Sequence, residues 1–165
     1  MADENLHNEP LPNGADTQPS IGLIAQYVKD LSFENPNAPD VYQWEDQPAM
    51  DVQFNIGAEQ VAEDVHEMIL KIEVKATSAN GTAFAIDLTY GALFGMRNIP
   101  EEQVRPFMLA EAPRLAFPFA RRVIADAVRD GGFQPLMLDP IDFGALYVQQ
   151  IQAMSEAGEA VAGNA

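Results

Sequence analysis

The sequence predicts an α+β fold: four strands, then a broken helix, an extended linker and a last helix. Three observations carry that reading. Three consecutive segments alternate apolar and polar residues with period two and are joined by short links, the pattern of an antiparallel meander rather than a βαβ unit. After Gly95 the apolar spacing changes to the steps of three and four that mark a helix. Finally, 165 residues, 47% of them hydrophobic, supply enough apolar surface for the core of one domain.

The elements follow in order. Residues 1–19 carry four acids, no base and three prolines, with nothing to bury, and read as a disordered acidic tail. They lack the basic start and apolar stretch of an export signal, so the protein is expected in the cytoplasm. The folded domain is expected over 20–155, with 156–165 a flexible C-terminal tail. Residues 21–33 mix β-branched, aromatic and aliphatic side chains without clean alternation, as a bulged strand does. Residues 34–49 contain Pro36, Pro39 and Pro48, which excludes a helix or central strand and predicts a long crossover loop.

Alternation then defines three strands. Met50, Val52, Phe54 and Ile56 interleave with Asp51, Gln53 and Asn55. Met68, Leu70, Ile72, Val74 and Ala76 interleave with Glu67, Lys71, Glu73 and Lys75. Phe84, Ile86, Leu88 and Tyr90 interleave with Ala83, Ala85, Asp87 and Thr89, and Asn80-Gly81 marks the hairpin turn before them. Pro100-Glu101-Glu102 opens a helix whose apolar stripe is Val104, Phe107, Met108 and Ala112. Pro113 predicts a kink or break. The helical pattern resumes through Leu115, Phe119, Val123 and Ala127 and stops at Gly131-Gly132. Residues 133–140 read as extended, and Asp142 caps a last helix running through Leu146, Ile151 and Met154.

Charge and residue types narrow the function. A formal charge of −16 repels nucleic acid and anionic lipid, whose binding needs Lys and Arg to displace counterions. The absence of cysteine removes disulfides, thiolate nucleophiles and Cys-ligated zinc. No apolar run reaches the roughly 18 residues of a membrane span, so no direct membrane insertion is expected. Of two histidines, His7 lies in the tail and His66 reads as a lone surface residue. Glu45-Asp46 and Glu63-Asp64 lack the glycine-punctuated spacing of a calcium loop and read as solvated acids. No catalytic residue, metal site or cofactor is expected; the one enzyme reading left is a small-molecule reaction in the sheet–helix cleft with His66 as base.

Two features are left over. Residues 1–70 hold 14 acids against a single base, Lys29, so the acidity is concentrated in the first half and fits a basic partner. Residues 115–119 are large and consecutive and cannot all face one core. Leu115 and Phe119 are expected inside, whereas Phe117 and Trp44 are less comfortably buried. Such a chain either oligomerises or keeps apolar grooves.

Several motifs together resemble one family. They are KDLSFENPNAP at 29–39, YGALF at 90–94, PRLAFPFAR at 113–121, FQPL at 133–136 and LDPIDF at 138–143. In this order, over roughly 20–150, they resemble the protein-export chaperone SecB. The resemblance implies a four-stranded antiparallel sheet with its helices packed on one side, assembled as a homotetramer, a dimer of dimers. It implies a holdase that binds unfolded preproteins without ATP and passes them to the SecA motor. By resemblance the SecA contact takes Asp30, Glu34, Ala85 and Asp87. The client groove takes Trp44, Val52, Phe54, Phe84, Phe117, Phe119, Leu146 and Tyr147, between crossover loop and second helix. Ile86, Leu88 and Tyr90, the inward set of the fourth strand, match assembly positions. A SecB-like chaperone dedicated to one client, such as an antitoxin, is the alternative.

Overall fold

The computed structural model describes residues 17–162, so most of the expected N-terminal tail and the last residues of the C-terminal one lie outside the described residues. Strands β1 (Ser20–Glu34), β2 (Ala49–Ala62), β3 (Val65–Ser78) and β4 (Gly81–Arg97) form one antiparallel sheet in the order β1-β4-β3-β2. Alternation assigns the faces as expected, because residues paired across neighbouring strands share a face. Leu70, Ile72 and Leu88 are fully buried on the helix side, and Phe84, Ile86 and Phe94 nearly so. Each such side chain contributes about 1.5–3 kcal/mol by leaving water.

β1 carries two irregularities against β4, between Leu23 and Ala25 and between Val28 and Asp30, so Ile24 and Lys29 are the extra residues. The β3–β4 turn is displaced by one residue from its sequence signal. Ser78 pairs with Gly81, leaving Ala79 and Asn80 in the turn and Gly81 at φ 129° as the first residue of β4.

The crossover loop contains one 3-10 turn, Asp40–Gln43, against the expectation from its proline density that no helix forms there. A single turn escapes that exclusion because Pro39 sits at its N-cap, where no helical N–H is needed. Side chains pin the loop between Asn35 and Tyr42. Asn35 Nδ2 donates to Tyr42 Oη at 2.9 Å and to the Gly131 carbonyl at 3.2 Å, and Tyr42 Oη donates to the same carbonyl at 2.7 Å. Asn37 Nδ2 donates to the Thr82 carbonyl at 2.8 Å, fixing the loop to the β3–β4 hairpin. The asparagines of the NPNAP motif are therefore anchors.

Helices α1 (Glu101–Pro106) and α2 (Ala112–Asp130) are joined by a π-turn, Phe107–Glu111, into one continuous rod. The Ala112 N–H reaches back five residues to the Phe107 carbonyl. Pro113 cannot donate to Leu109, so the expected break becomes a widened turn just ahead of the proline. The buried stripe of α2 is Ala112, Ala116, Phe117, Ala120, Ile124 and Val128. Leu115 and Phe119 are 46% and 49% exposed, which reverses the expectation that they enter the core and Phe117 stays outside. Both stripes are apolar, so hydrophobicity could not separate them; Ala112, Ala116 and Ala120 let the helix approach the sheet closely.

α2 ends in a Schellman cap: Phe133 N–H donates to the Val128 carbonyl at 3.2 Å and Gly132 N–H to Arg129 at 3.0 Å, with Gly132 at φ 87°. Arg121 Nη1 donates to the Leu138 carbonyl at 3.2 Å and its guanidinium lies 5.8 Å from the Phe117 ring centre, holding the following linker against α2. Asp142 Oδ1 accepts from Ala145 N–H at 2.9 Å and caps α3 (Phe143–Ala162), as expected. α3 runs on to Ala162, through much of the segment read as a flexible tail. Only Phe143 of α3 is buried, so the helix docks by its first turn.

Candidate functional sites on two faces of the sheet

The face turned away from the helices is built in rows. Glu34, Ala85, Lys75 and Asp51 lie side by side across the strands; Ser32, Asp87, Glu73 and Gln53 form the next row, and Asp30, Thr89, Lys71 and Asn55 the third. The first two rows line an open depression of about 430 Å³. Asp30, Glu34, Ala85 and Asp87, predicted as one contact, thus share one face, with Asp30 a row beyond the depression. Asp87 stands directly opposite Glu73, with Lys71 and Lys75 flanking Glu73 on the same face, and its Oδ1 is buried without a hydrogen-bond partner among the described residues. Like charges directly opposite destabilise a sheet. Asp51, Glu73 and Lys75 were not among the predicted contacts. Their polar side of the alternation was legible, but the register that sets them beside Asp87 was not.

Further along the same face a second group was missed altogether. Glu67 is 7% exposed, yet it is a carboxylate. Tyr27 Oη donates to its Oε2, and Lys29 Nζ donates to Oε1 and Oε2 at 3.1 and 3.2 Å. The Tyr27 ring lies flat on Gly91, where any Cβ would collide with it. The Tyr27 hydrogen bond, aided by Lys29 and opposed by burial, holds the Glu67 carboxyl below the usual carboxylate range. Burial, together with Glu67, pushes the Tyr27 hydroxyl up to about 12.

The predicted client groove divides. Trp44 lines a groove of about 340 Å³ with Val41, Tyr42, Pro48, Ala83 and Phe133, and Glu45, Asp46 and Gln47 line it as well. Phe84 lies beneath it, 4.9 Å from Phe133 and 6.1 Å from Phe33 between ring centres. Phe54 and Phe117 meet edge to face at 6.2 Å, and Phe117 meets Phe143 at 5.6 Å, where the half-buried Val52, Leu146 and Tyr147 belong to the helix-side surface. Phe84 and Phe117 are 2% and 4% exposed, so they support these surfaces from below rather than line them. Phe119 faces solvent on the other side of α2 from Phe117 and joins neither group.

Two further expectations are corrected. Ile86, Leu88 and Tyr90 are 3%, 0% and 6% exposed within one chain, so they are core residues with no surface to offer a second copy. The face assignment was right, but the helices already cover it. His66 pairs with Phe94 and Gln60, half-buried on the helix side rather than on the surface, and its Nδ1 is buried without a partner among the described residues.

The comparisons with known proteins fit this architecture. A sequence model described as "Preprotein translocase subunit SecB" matches residues 14–154. The chain belongs to the SecB family. It is 60% identical to the protein-export protein SecB of Sphingopyxis alaskensis over 157 residues, covering 93% of this chain and 91% of that one. With the protein-export protein SecB of Novosphingobium aromaticivorans the identity is 57%, and each chain is covered completely. Among solved structures, a SecB-like chaperone of Mycobacterium tuberculosis, in complex with a peptide from the HigA1 antitoxin, superposes with a TM-score of 0.62 at 13% identity, over 73% of this chain and 90% of that one. That likeness is one of fold. The chaperone role in protein export follows from the family and from relatives of this similarity, and the reading as a single-client antitoxin chaperone is not favoured.

Proposed function

We propose that this member of the SecB family is an ATP-independent holdase of the cytoplasm that keeps unfolded preproteins translocation-competent and hands them to SecA. The observation that carries the reading is the separation of two unlike surfaces. An aromatic-lined groove lies at the crossover loop and half-buried apolar side chains such as Val52, Phe54 and Leu146 line the helix side, while the acidic rows occupy the opposite face. Extended apolar segments gain about 25 cal/mol per Å² on entering the grooves, before ordering costs. Only unfolded chains expose such segments at length, so selectivity needs no sequence code. The acidic face, led by Asp30, Glu34 and Asp87, is the complement of a basic docking surface on SecA, and that contact weakens with salt.

Assembly as a dimer of dimers would multiply the grooves and hold a long client by effective concentration. Apolar surface free for assembly lies on β1, at Ile21, Leu23, Val28 and Leu31, and on α2, at Leu115 and Phe119, each at least 42% exposed. The test is refolding of a chemically denatured preprotein with stoichiometric pure protein and no nucleotide. Arrest of refolding, relieved by adding SecA, is the expected result; unimpeded refolding overturns the reading.

A further inference from the structure

The acidic face depends on a parity problem inside β1. Tyr27 points away from the helices, onto Gly91, and Phe33 points toward them, where it stacks with Phe84 at 6.1 Å. These two residues are an even number of positions apart, and a regular strand would put them on the same face. One extra residue is therefore obligatory somewhere between them. Its place decides one side chain above all. With the extra residue at Lys29, Asp30 pairs with Thr89 and faces outward. With the extra residue beyond Asp30, Lys29 would take the position opposite Thr89 and Asp30 would turn toward the helices. Glu34 is indifferent, because Phe33 fixes it from the other side.

Lys29 is held where it is by Glu67. Both carboxylate oxygens lie within hydrogen-bonding reach of Nζ, and Glu67 is itself fixed by Tyr27. Glu67 pairs with Leu93 on β4, several residues from Thr89, so moving Lys29 opposite Thr89 draws it away from that carboxylate. We propose that the Lys29–Glu67 ion pair is a positioning device: it pins the β1 bulge at Lys29 and so turns Asp30 onto the docking face. The inference rests on the reading of that face as the SecA contact. In this role Lys29 and Glu67 are positioning residues and touch no partner. The one base of residues 1–70 is thereby also drawn toward Glu67.

The test separates the device from the docking reading. In the free protein, cross-strand NMR contacts between Asp30 and Thr89 report where the bulge sits, with no partner present. Glu67→Ala is expected to lose those contacts and to weaken SecA binding about fivefold, the scale of one exposed ion pair. Asp30→Asn is expected to weaken binding by the same factor, and the Glu67→Ala/Asp30→Asn double variant no further. Deleting Lys29 in the Glu67→Ala background removes the odd residue, so Asp30 must face outward again and SecA binding returns. Lys29→Met repeats the measurement should Glu67→Ala fold poorly, with Lys29→Arg restoring the contact. Asp30–Thr89 contacts that persist in both Glu67→Ala and Lys29→Met overturn the proposal. A displaced bulge with SecA binding unchanged, in Asp30→Asn as well, overturns the docking reading instead.

Discussion

On the helix side of the sheet Leu70, Ile72 and Leu88 are fully buried, while one residue along each strand Lys71, Glu73 and Asp87 stand on the opposite face. The backbone is the same, and what each face tolerates differs. The helix side is specified by area and volume: Phe84 and Phe117 are held by many weak contacts, and neighbours can share the load. The outer face is specified by position, because a charge displaced by one row, or turned through the sheet, ceases to belong to the surface at all. Substitutions on the first face should therefore register as stability, and those in the exposed rows of the second, the buried Glu67 aside, as partner binding with stability nearly unchanged.

The largest break in that contrast is expected from Phe117→Ala. Removing a ring that packs against Phe54 and Phe143 should cost about 3–5 kcal/mol in urea unfolding, against less than about 1 kcal/mol for Phe119→Ala on the exposed side of α2. Equal losses would show that the stripe has been assigned to the wrong side. Next, Asp30→Lys with Glu34→Lys should reduce SecA affinity by about a hundredfold or more, since like charges brought together cost several kcal/mol. Capture of an unfolded preprotein by the same variant should be unchanged; a parallel fall in both activities would abolish the separation of faces.

A pH series sharpens the comparison through Glu67, the buried acid of the outer face. Its folded carboxyl lies below the ordinary value of 4.5, so the stability it contributes is complete above that value and is lost as pH falls through the folded one. Tyr27 works at the other end: its hydroxyl is raised from 10.0 to about 12, so its contribution is complete below pH 10 and lost as pH rises through that interval. Glu67→Gln should remove the acid limb in denaturation measured across pH; an unaltered acid limb would assign it to other carboxylates. Last, Tyr42→Phe should cost about 0.5–1.5 kcal/mol, the value of its loop anchors to Gly131 and Asn35. Faster amide exchange confined to residues 35–44 would locate that loss.

Much of this was legible in the sequence because alternation is a strong signal when one face is buried. It placed Phe54, Ile72 and Leu88 inward and Asp87 outward, and Asp142 and Gly131-Gly132 announced the helix ends. Alternation does not fix register, and the β3–β4 turn lies one residue from its Asn80-Gly81 signal with a further shift at Ala76/Thr77, so Glu73 was not seen to oppose Asp87. Neither does it say what already covers a face, which is why Ile86, Leu88 and Tyr90 were mistaken for a surface between copies. On α2, Leu115 and Phe119 looked like core because they are large, whereas close helix–sheet packing selected the alanines beside them. Glu67 was unreadable for a related reason: a charged residue in an alternating strand looks solvated until Tyr27 and Lys29 are found folded over it.

The strand order β1-β4-β3-β2 has a consequence for how the protein is made. Synthesis delivers β1 first, but among the described residues its neighbour in the sheet is β4, the last of the four strands to leave the ribosome. The β2–β4 meander can zip together through short hairpins, while residues 20–34 must wait, unpaired, for a partner more than fifty residues downstream. Asp30 and Glu34 belong to that waiting segment. A half-made chain thus has the beginnings of its apolar side but no finished acidic face, and a nascent subunit gains its docking surface only as its sheet is completed.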